Sequence, residues 1–153
     1  MATEDAHLLT DVRLRLERAD LRPVWRVAAT RVPARGGRAA VDLAAVDGRE
    51  NLEQAIMVRL QTPVGELAEL GHPDFGSRLH ELIGSPNTEA RRRLAKLHVL
   101  DALAREPRVA EVAAVAVDRD AHLRTVVHIT VDVVPAGATG TVTIGPFSFS
   151  FEP

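Results

Sequence analysis

The stretch His122-Leu123-Arg124-Thr125-Val126-Val127-His128-Ile129-Thr130-Val131-Asp132-Val133-Val134 decides the fold class. Leu123, Thr125, Val127, Ile129, Val131 and Val133 fall at every second position, which puts them on one face of a strand, with His128, Thr130 and Asp132 on the polar face. Residues 109–117 and 141–151 read as its neighbours. In the last segment Val142 and Ile144 share one parity while Phe147, Phe149 and Phe151 share the other, and a bulge at Gly145-Pro146 would keep all five on the core side. Three such segments in succession predict a β meander. Upstream, Asn87 or Thr88 caps a long helix with Glu89 in its first turn and an apolar stripe through Ala90, Leu94, Leu97, Leu100, Leu103 and Ala104; Pro107 stops it. An earlier helix follows Asp47, a cap with Glu50 three residues on, and buries Leu52, Ala55, Ile56 and Leu60 before Pro63 ends it. Gly65, Gly71, Pro73 and Gly76 make the segment between the helices a structured loop, and residues 77–83 add a helical turn.

The first 46 residues are extended. Val12, Leu14 and Leu16 alternate with Arg13, Arg15 and Glu17 over residues 11–17, residues 25–32 form a second extended segment, and residues 39–46 a third, with a turn at Pro33-Ala34-Arg35-Gly36-Gly37. They form either a packed hairpin or a docking arm. The expected fold is therefore α+β: two main helices on a small antiparallel or mixed sheet, with an extended N-terminal arm or hairpin. A single domain over 1–153 is expected, divided into an arm (1–46), a helical part with its Gly/Pro loop (47–106) and a β meander (107–153).

Composition narrows the function. The 153 residues suffice for one core, and with no cysteine there is neither a disulfide framework nor a thiolate nucleophile. Nineteen basic and 21 acidic residues leave a formal net charge of -2, so no overall field draws the chain to nucleic acid or an anionic membrane. Four Phe, one Trp and no Tyr give few base-stacking platforms. Met1-Ala2-Thr3-Glu4-Asp5 opens acidic, and no apolar run approaches a membrane span. Nothing here inserts the chain in a membrane.

The chemistry-bearing clusters read mostly as structure. Glu66, Glu69, Asp74 and Glu81 surround the glycine-rich loop, where two close carboxylates would suit a glycosidase. Such a site also needs one acid in an apolar pocket and an aromatic sugar cleft, and Phe75 is the only aromatic nearby. His72, His80, His98, His122 and His128 match no compact metal-ligand spacing. Arg91-Arg92-Arg93 reads as a solvated helix face. Glu106-Pro107-Arg108 stands where the long helix must stop and the sheet begins: either a terminator with a surface ion pair, or a rigid recognition corner in which Arg108 offers a forked donor to a partner.

Two stretches carry a family resemblance. One runs from Gly48-Arg49-Glu50-Asn51-Leu52 through Arg59-Leu60-Gln61-Thr62-Pro63-Val64-Gly65-Glu66 to Gly71-His72-Pro73-Asp74-Phe75-Gly76; the other is Glu106-Pro107-Arg108-Val109. Together they resemble the GPW-type baseplate wedge and sheath-initiator family of contractile phage tails, most closely its members in phage-tail-like contractile injection systems, over residues 40–135. The resemblance implies a structural, non-enzymatic baseplate subunit. It would be made in the cytoplasm and incorporated into the baseplate of a tail-like particle. Glu106, Pro107 and Arg108 would engage the core bundle of the wedge subunits, and the β portion would template the first sheath ring by strand addition. Pro63, Gly65, Glu66, Pro73, Phe75 and Gly76 match the family's structural loop. The implied partners are wedge subunits and sheath protein, with the hub, spike or inner tube as further contacts; no cofactor, metal or small-molecule substrate is implied. Some members carry an old lysozyme label, so Glu66, Asp74 and Glu81 define the alternative of a peptidoglycan hydrolase. A free regulatory adaptor on the same fold is the other.

Overall fold

The computed structural model describes residues 8–19, 22–33 and 39–152. The described fold is α+β, with nine strands and two α-helices among these residues: β1 Thr10–Val12, β2 Leu14–Ala19, β3 Arg22–Val27, β4 Ala29–Pro33, β5 Ala39–Leu43, β6 Ala45–Asp47, α1 Gly48–Gln61, α2 Glu89–Leu103, β7 Val109–Arg119, β8 Val126–Pro135 and β9 Val142–Ser150. Packing divides the chain into two compact units, residues 1–54 and 55–153, and the boundary falls inside α1.

In the first unit each of the three extended segments is broken once, at Arg13, Ala28 and Ala44, so it forms three two-stranded ribbons, β1–β6, β2–β3 and β4–β5. The breaks form a closed backbone cycle: Arg13 N–H donates to Ala44 O (2.7 Å), Ala44 N–H to Ala28 O (2.9 Å) and Ala28 N–H to Arg13 O (2.8 Å). Each break thereby satisfies the groups that leave the ladders, which a buried junction requires. The start of α1 completes it. Gln54 accepts from the Leu14 amide (2.7 Å) and donates to Val12 O (2.9 Å), and Asn51 donates to Leu8 O (3.0 Å). Glu50, expected in a capping box, instead receives the Arg13 guanidinium at 2.6 Å. The Pro33–Gly37 turn, apart from Pro33, and the acidic N-terminus lie outside the described residues.

In the second unit β7, β8 and β9 form an antiparallel meander in that order. β8 is its centre. Val127, Ile129, Val131 and Val133 are fully buried on one face, as their alternation predicts. The strand starts later than expected, because Asp120 Oδ1 takes the amides of His122 and Leu123, both at 2.7 Å, into a turn that leaves Leu123 exposed. The expected bulge is present: Ile129 pairs with Phe147 and Val131 with Ile144, so Gly145 and Pro146 together face Thr130. Gly145 has φ +105°, and a Cβ there would lie 2.7 Å from Ile129 O, so only glycine lets the strands meet. Ile144 and Phe151 are buried, and the Phe149 and Phe151 rings meet edge to face at 5.3 Å.

The helix α2 packs against β7. Thr88 is its N-cap, with its side chain accepting from the Arg91 amide. Of the expected stripe Leu103 is buried, Leu94 and Leu100 are half-buried and Leu97 is exposed, and the rest of the buried face is Ala95, Val99 and Ala102. The spacing i, i+4, i+7 is the same. Periodicity alone does not distinguish the two stripes.

Candidate docking corner

The helix α1 buries Ile56 and Leu60 and also Arg59, a cation 6% exposed among apolar neighbours. A buried charge is tolerated only when it is paired. The pair is Glu106, which stands three residues past the end of α2 and is 3% exposed. Arg59 Nε and Nη2 reach Glu106 Oε2 at 3.1 and 3.0 Å. The other oxygen, Oε1, accepts from Arg108 Nε at 2.7 Å and from the Arg108 amide at 3.4 Å. Pro107 is exposed and holds the turn between the two charged residues. Burial pushes the Glu106 carboxyl pKa up, but the hydrogen bond and charge of Arg108, with those of Arg59, outweigh it and hold the group below its ordinary range.

The loop signature reaches the same corner through one residue. The Phe75 ring lies under the Arg59 guanidinium, 4.4 Å from Cζ to centroid, a cation–π contact. Its loop is held by paired backbone bonds, Ser77 N–H to Thr62 O (2.8 Å) and Val64 N–H to Ser77 O (2.9 Å), and by the Ser77 hydroxyl on Leu60 O (2.6 Å). Gly76, at φ +111°, sits where any Cβ would collide with the carbonyls of Thr62 and Pro63. Pro63 bridges to Ser77. Gly65 turns with positive φ and Glu66 is exposed. A shallow open depression beside the corner is lined by Arg59, His72, Pro73, Asp74, Phe75 and Arg105. The sequence motifs thus meet as Phe75–Arg59–Glu106–Arg108.

Arg59 was the residue that sequence reasoning did not single out as part of the site. The available signal was its place three residues after Ile56 on the apolar face of α1, where a cation requires an anionic partner.

The carboxylates of the loop do not assemble in the same way. Glu81 pairs with Arg78 at 2.7 Å, and that hydrogen bond lowers its pKa. A Ser/His/Asp contact does exist on the sheet: His128 Nε2 lies 2.7 Å from Asp120 Oδ2, and Ser148 Oγ lies 3.4 Å from His128 Nδ1. Asp120 is held at about 2, chiefly by the Leu123 and His122 amides and then by His128. Ser148 is exposed on the open sheet face, and the depression described above lies elsewhere, so the contact pins the β7–β8 turn without a sheltered oxyanion site. Among the described residues no group of three or more His, Asp or Glu is placed to hold a metal ion, and no helix is long and apolar enough to cross a membrane.

The corner is thus a charged cluster folded into an α+β frame, with the Arg108 side chain at its rim. Residues 46–136 match the model of the baseplate wedge protein gp25 family, and the chain belongs to that family. It is therefore a structural component of a phage-tail-type baseplate. The fold is similar to that of a Geobacter sulfurreducens protein whose crystal structure bears the name tail lysozyme: the TM-score is 0.56 at 22% identity, over 66% of this chain and 88% of that one. No curated protein matches the sequence.

Proposed function

We propose that this baseplate subunit docks on the helical core of its wedge through the Glu106-Pro107-Arg108 corner, and that its β7–β9 sheet templates the first ring of sheath in a contractile injection system or phage tail. The carrying observation is the division of labour inside the corner. Glu106 is spent internally on both of its oxygens, whereas Arg108 uses Nε and keeps Nη1 and Nη2 without a protein partner among the described residues. Its side chain is 21% exposed, with the Glu106 bond fixing its direction. A guanidinium whose rotamers are already set loses less entropy on docking than a free one, and its outward fork suits a partner's carboxylate or the carbonyls at a helix end. The sheet supports the second half of the proposal: β7 and β9 are its edges, and an edge strand presents unpaired backbone groups for strand addition.

A hydrolase reading finds less support. A general acid needs a raised pKa, and Glu81, Glu106 and Asp120 are all shifted down. The lysozyme name belongs to the Geobacter neighbour, and a likeness at 22% identity speaks for the fold alone.

The test is co-expression with the neighbouring wedge and sheath subunits, comparing wild type with Arg108→Glu by pull-down and electron microscopy. With the fold intact by circular dichroism, loss of wedge capture supports the corner. Normal sheathed particles from the variant would remove it.

A further inference from the structure

The N-terminal ribbons lie almost wholly before residue 46, where the family match begins, and a two-stranded ribbon is marginal by itself. Their free edges are unequal. Among the described ribbon strands of five or more residues, β2 carries Arg15, β3 Pro23 and β4 both Arg31 and Pro33. Charges, prolines and bulges are how proteins guard an edge from another chain. Among the described residues the strand β5, Ala39-Ala40-Val41-Asp42-Leu43, has no proline, no cation and no register shift, carries the single charge of Asp42, and pairs only with β4. Val41 is 73% exposed and Leu43 58% exposed on one ribbon face.

The local hydrogen bonds give the register of an added strand. The Leu43 amide is taken by the Asp42 side chain at 2.7 Å, which marks it as facing away from β4. By the alternation of an antiparallel ladder, the amide of Val41 points the same way.

We propose that unassembled copies of this chain pair through β5, antiparallel about a two-fold axis centred on Val41, to give a four-stranded sheet β4–β5–β5–β4. The sequence is self-complementary in this register. Val41 faces Val41, Ala39 faces Leu43, and Ala40 faces Asp42, so no like charges stand opposite each other. The outward amides of Ala39 and Val41 in both strands meet outward carbonyls while the Leu43 amide keeps its Asp42 partner, and Val41 and Leu43 of the two copies form one apolar patch. A contact of this kind is isologous and closes at two copies, so it does not grow into a fibre. It would cover the unguarded edge until the baseplate takes up the subunit.

Sedimentation velocity of the full chain over a concentration series tests this. A concentration-dependent dimer is expected. Val41→Pro removes only the outward amide, which a strand edge tolerates, and costs the symmetric pair both of its bonds, so dimerisation should weaken roughly tenfold. Val41→Lys, which keeps the backbone intact, should also weaken it, while Leu97→Lys on the exposed face of α2 should not. Because the chain has no cysteine, pyrene maleimide on Val41→Cys reports the register directly: excimer emission is expected there and not from Thr30→Cys on the far strand of the ribbon. A monomer at every concentration, a dimer indifferent to both Val41 variants, or excimer from Thr30→Cys alone would each overturn the proposal.

Discussion

Replacing Arg59 with methionine is the most informative single change to the corner. Glu106 would lose the partner of its Oε2 while staying 3% exposed, with Arg108 still on Oε1. Removing one member of a buried ion pair costs about 3–5 kcal/mol, and the surviving Arg108 bond places this variant near the lower end, about 3 kcal/mol. The lost cation–π contact with Phe75 is partly replaced by sulfur–aromatic packing, so it adds little. The double variant Arg59→Met/Glu106→Met removes both charges and should recover most of the loss, so the coupling in the cycle is at least about 2 kcal/mol, larger by whatever Glu106→Met costs alone. The pH dependence has a definite sign. The folded pKa of Glu106 is depressed, so its contribution is complete above the unfolded carboxyl value of about 4.3 and is lost as pH falls through the folded value. The gap between wild type and Arg59→Met should therefore narrow below about pH 4. Urea unfolding followed by far-ultraviolet circular dichroism is the right assay, because the one tryptophan, Trp25, lies in the other compact unit and would report that instead. A loss below about 1 kcal/mol, or a double variant as costly as the sum of the singles, would refute the claim that Glu106 is held by charge.

Two further outcomes follow from the loop and the turn. Gly76→Ala combines a φ of +111° with a backbone collision and should lose about 2 kcal/mol or more, against about 1 kcal/mol for Gly71→Ala, which has positive φ and open space; equal melting temperatures for the two variants would exclude the close approach. Asp120, at about 2 in the fold against an ordinary 3.8, stabilises the β7–β8 turn above about pH 4 and loses that effect as pH falls through about 2. Asp120→Asn should flatten this acid dependence and speed amide exchange at His122 and Leu123; unchanged exchange would mean the turn does not need the carboxylate.

What the sequence disclosed depended on whether the signal was local. Alternation named Val127, Ile129, Val131 and Val133 of the buried face of β8, the parity switch located the Gly145-Pro146 bulge, and the cap of α2 is narrowed to Asn87 or Thr88, because a capping bond closes within one turn. Three kinds of feature were hidden. The breaks at Arg13, Ala28 and Ala44 satisfy one another across 15 to 31 residues of sequence, so each segment read alone looks like an unbroken strand. The buried face of α2 includes Ala95, Val99 and Ala102, which share the i, i+4, i+7 spacing of the leucines beside them, so periodicity does not choose between the two. Glu50 reads from its spacing to Asp47 as part of a cap, whereas in the fold it meets Arg13, far off in sequence.

The same distinction bears on the corner. From sequence, Glu106 and Arg108 look equivalent, two opposite charges flanking a proline, and reversing either would seem an equal test of docking. The structure separates them. Glu106 is a folding residue that positions its neighbour, and charge reversal there would break its bonds to Arg59 and Arg108 and place a buried cation beside Arg59, so any assembly defect would follow from misfolding. Arg108 is half-buried at the rim, and its change leaves the Arg59–Glu106 pair in place. A conservative series at Arg108 therefore carries more information than the reversal of Glu106. Arg108→Lys keeps the charge but loses the planar fork and should dock weakly, by about tenfold if two donor bonds are lost, while Arg108→Gln should fall further. Arg108→Lys, which keeps a cation beside Glu106 Oε1, should melt close to wild type, whereas Arg108→Gln takes that charge away and should melt lower, so docking is compared at a temperature where both are folded. If Lys docks as well as Arg, charge alone draws the partner and the fork fixed by Glu106 has no part in recognition.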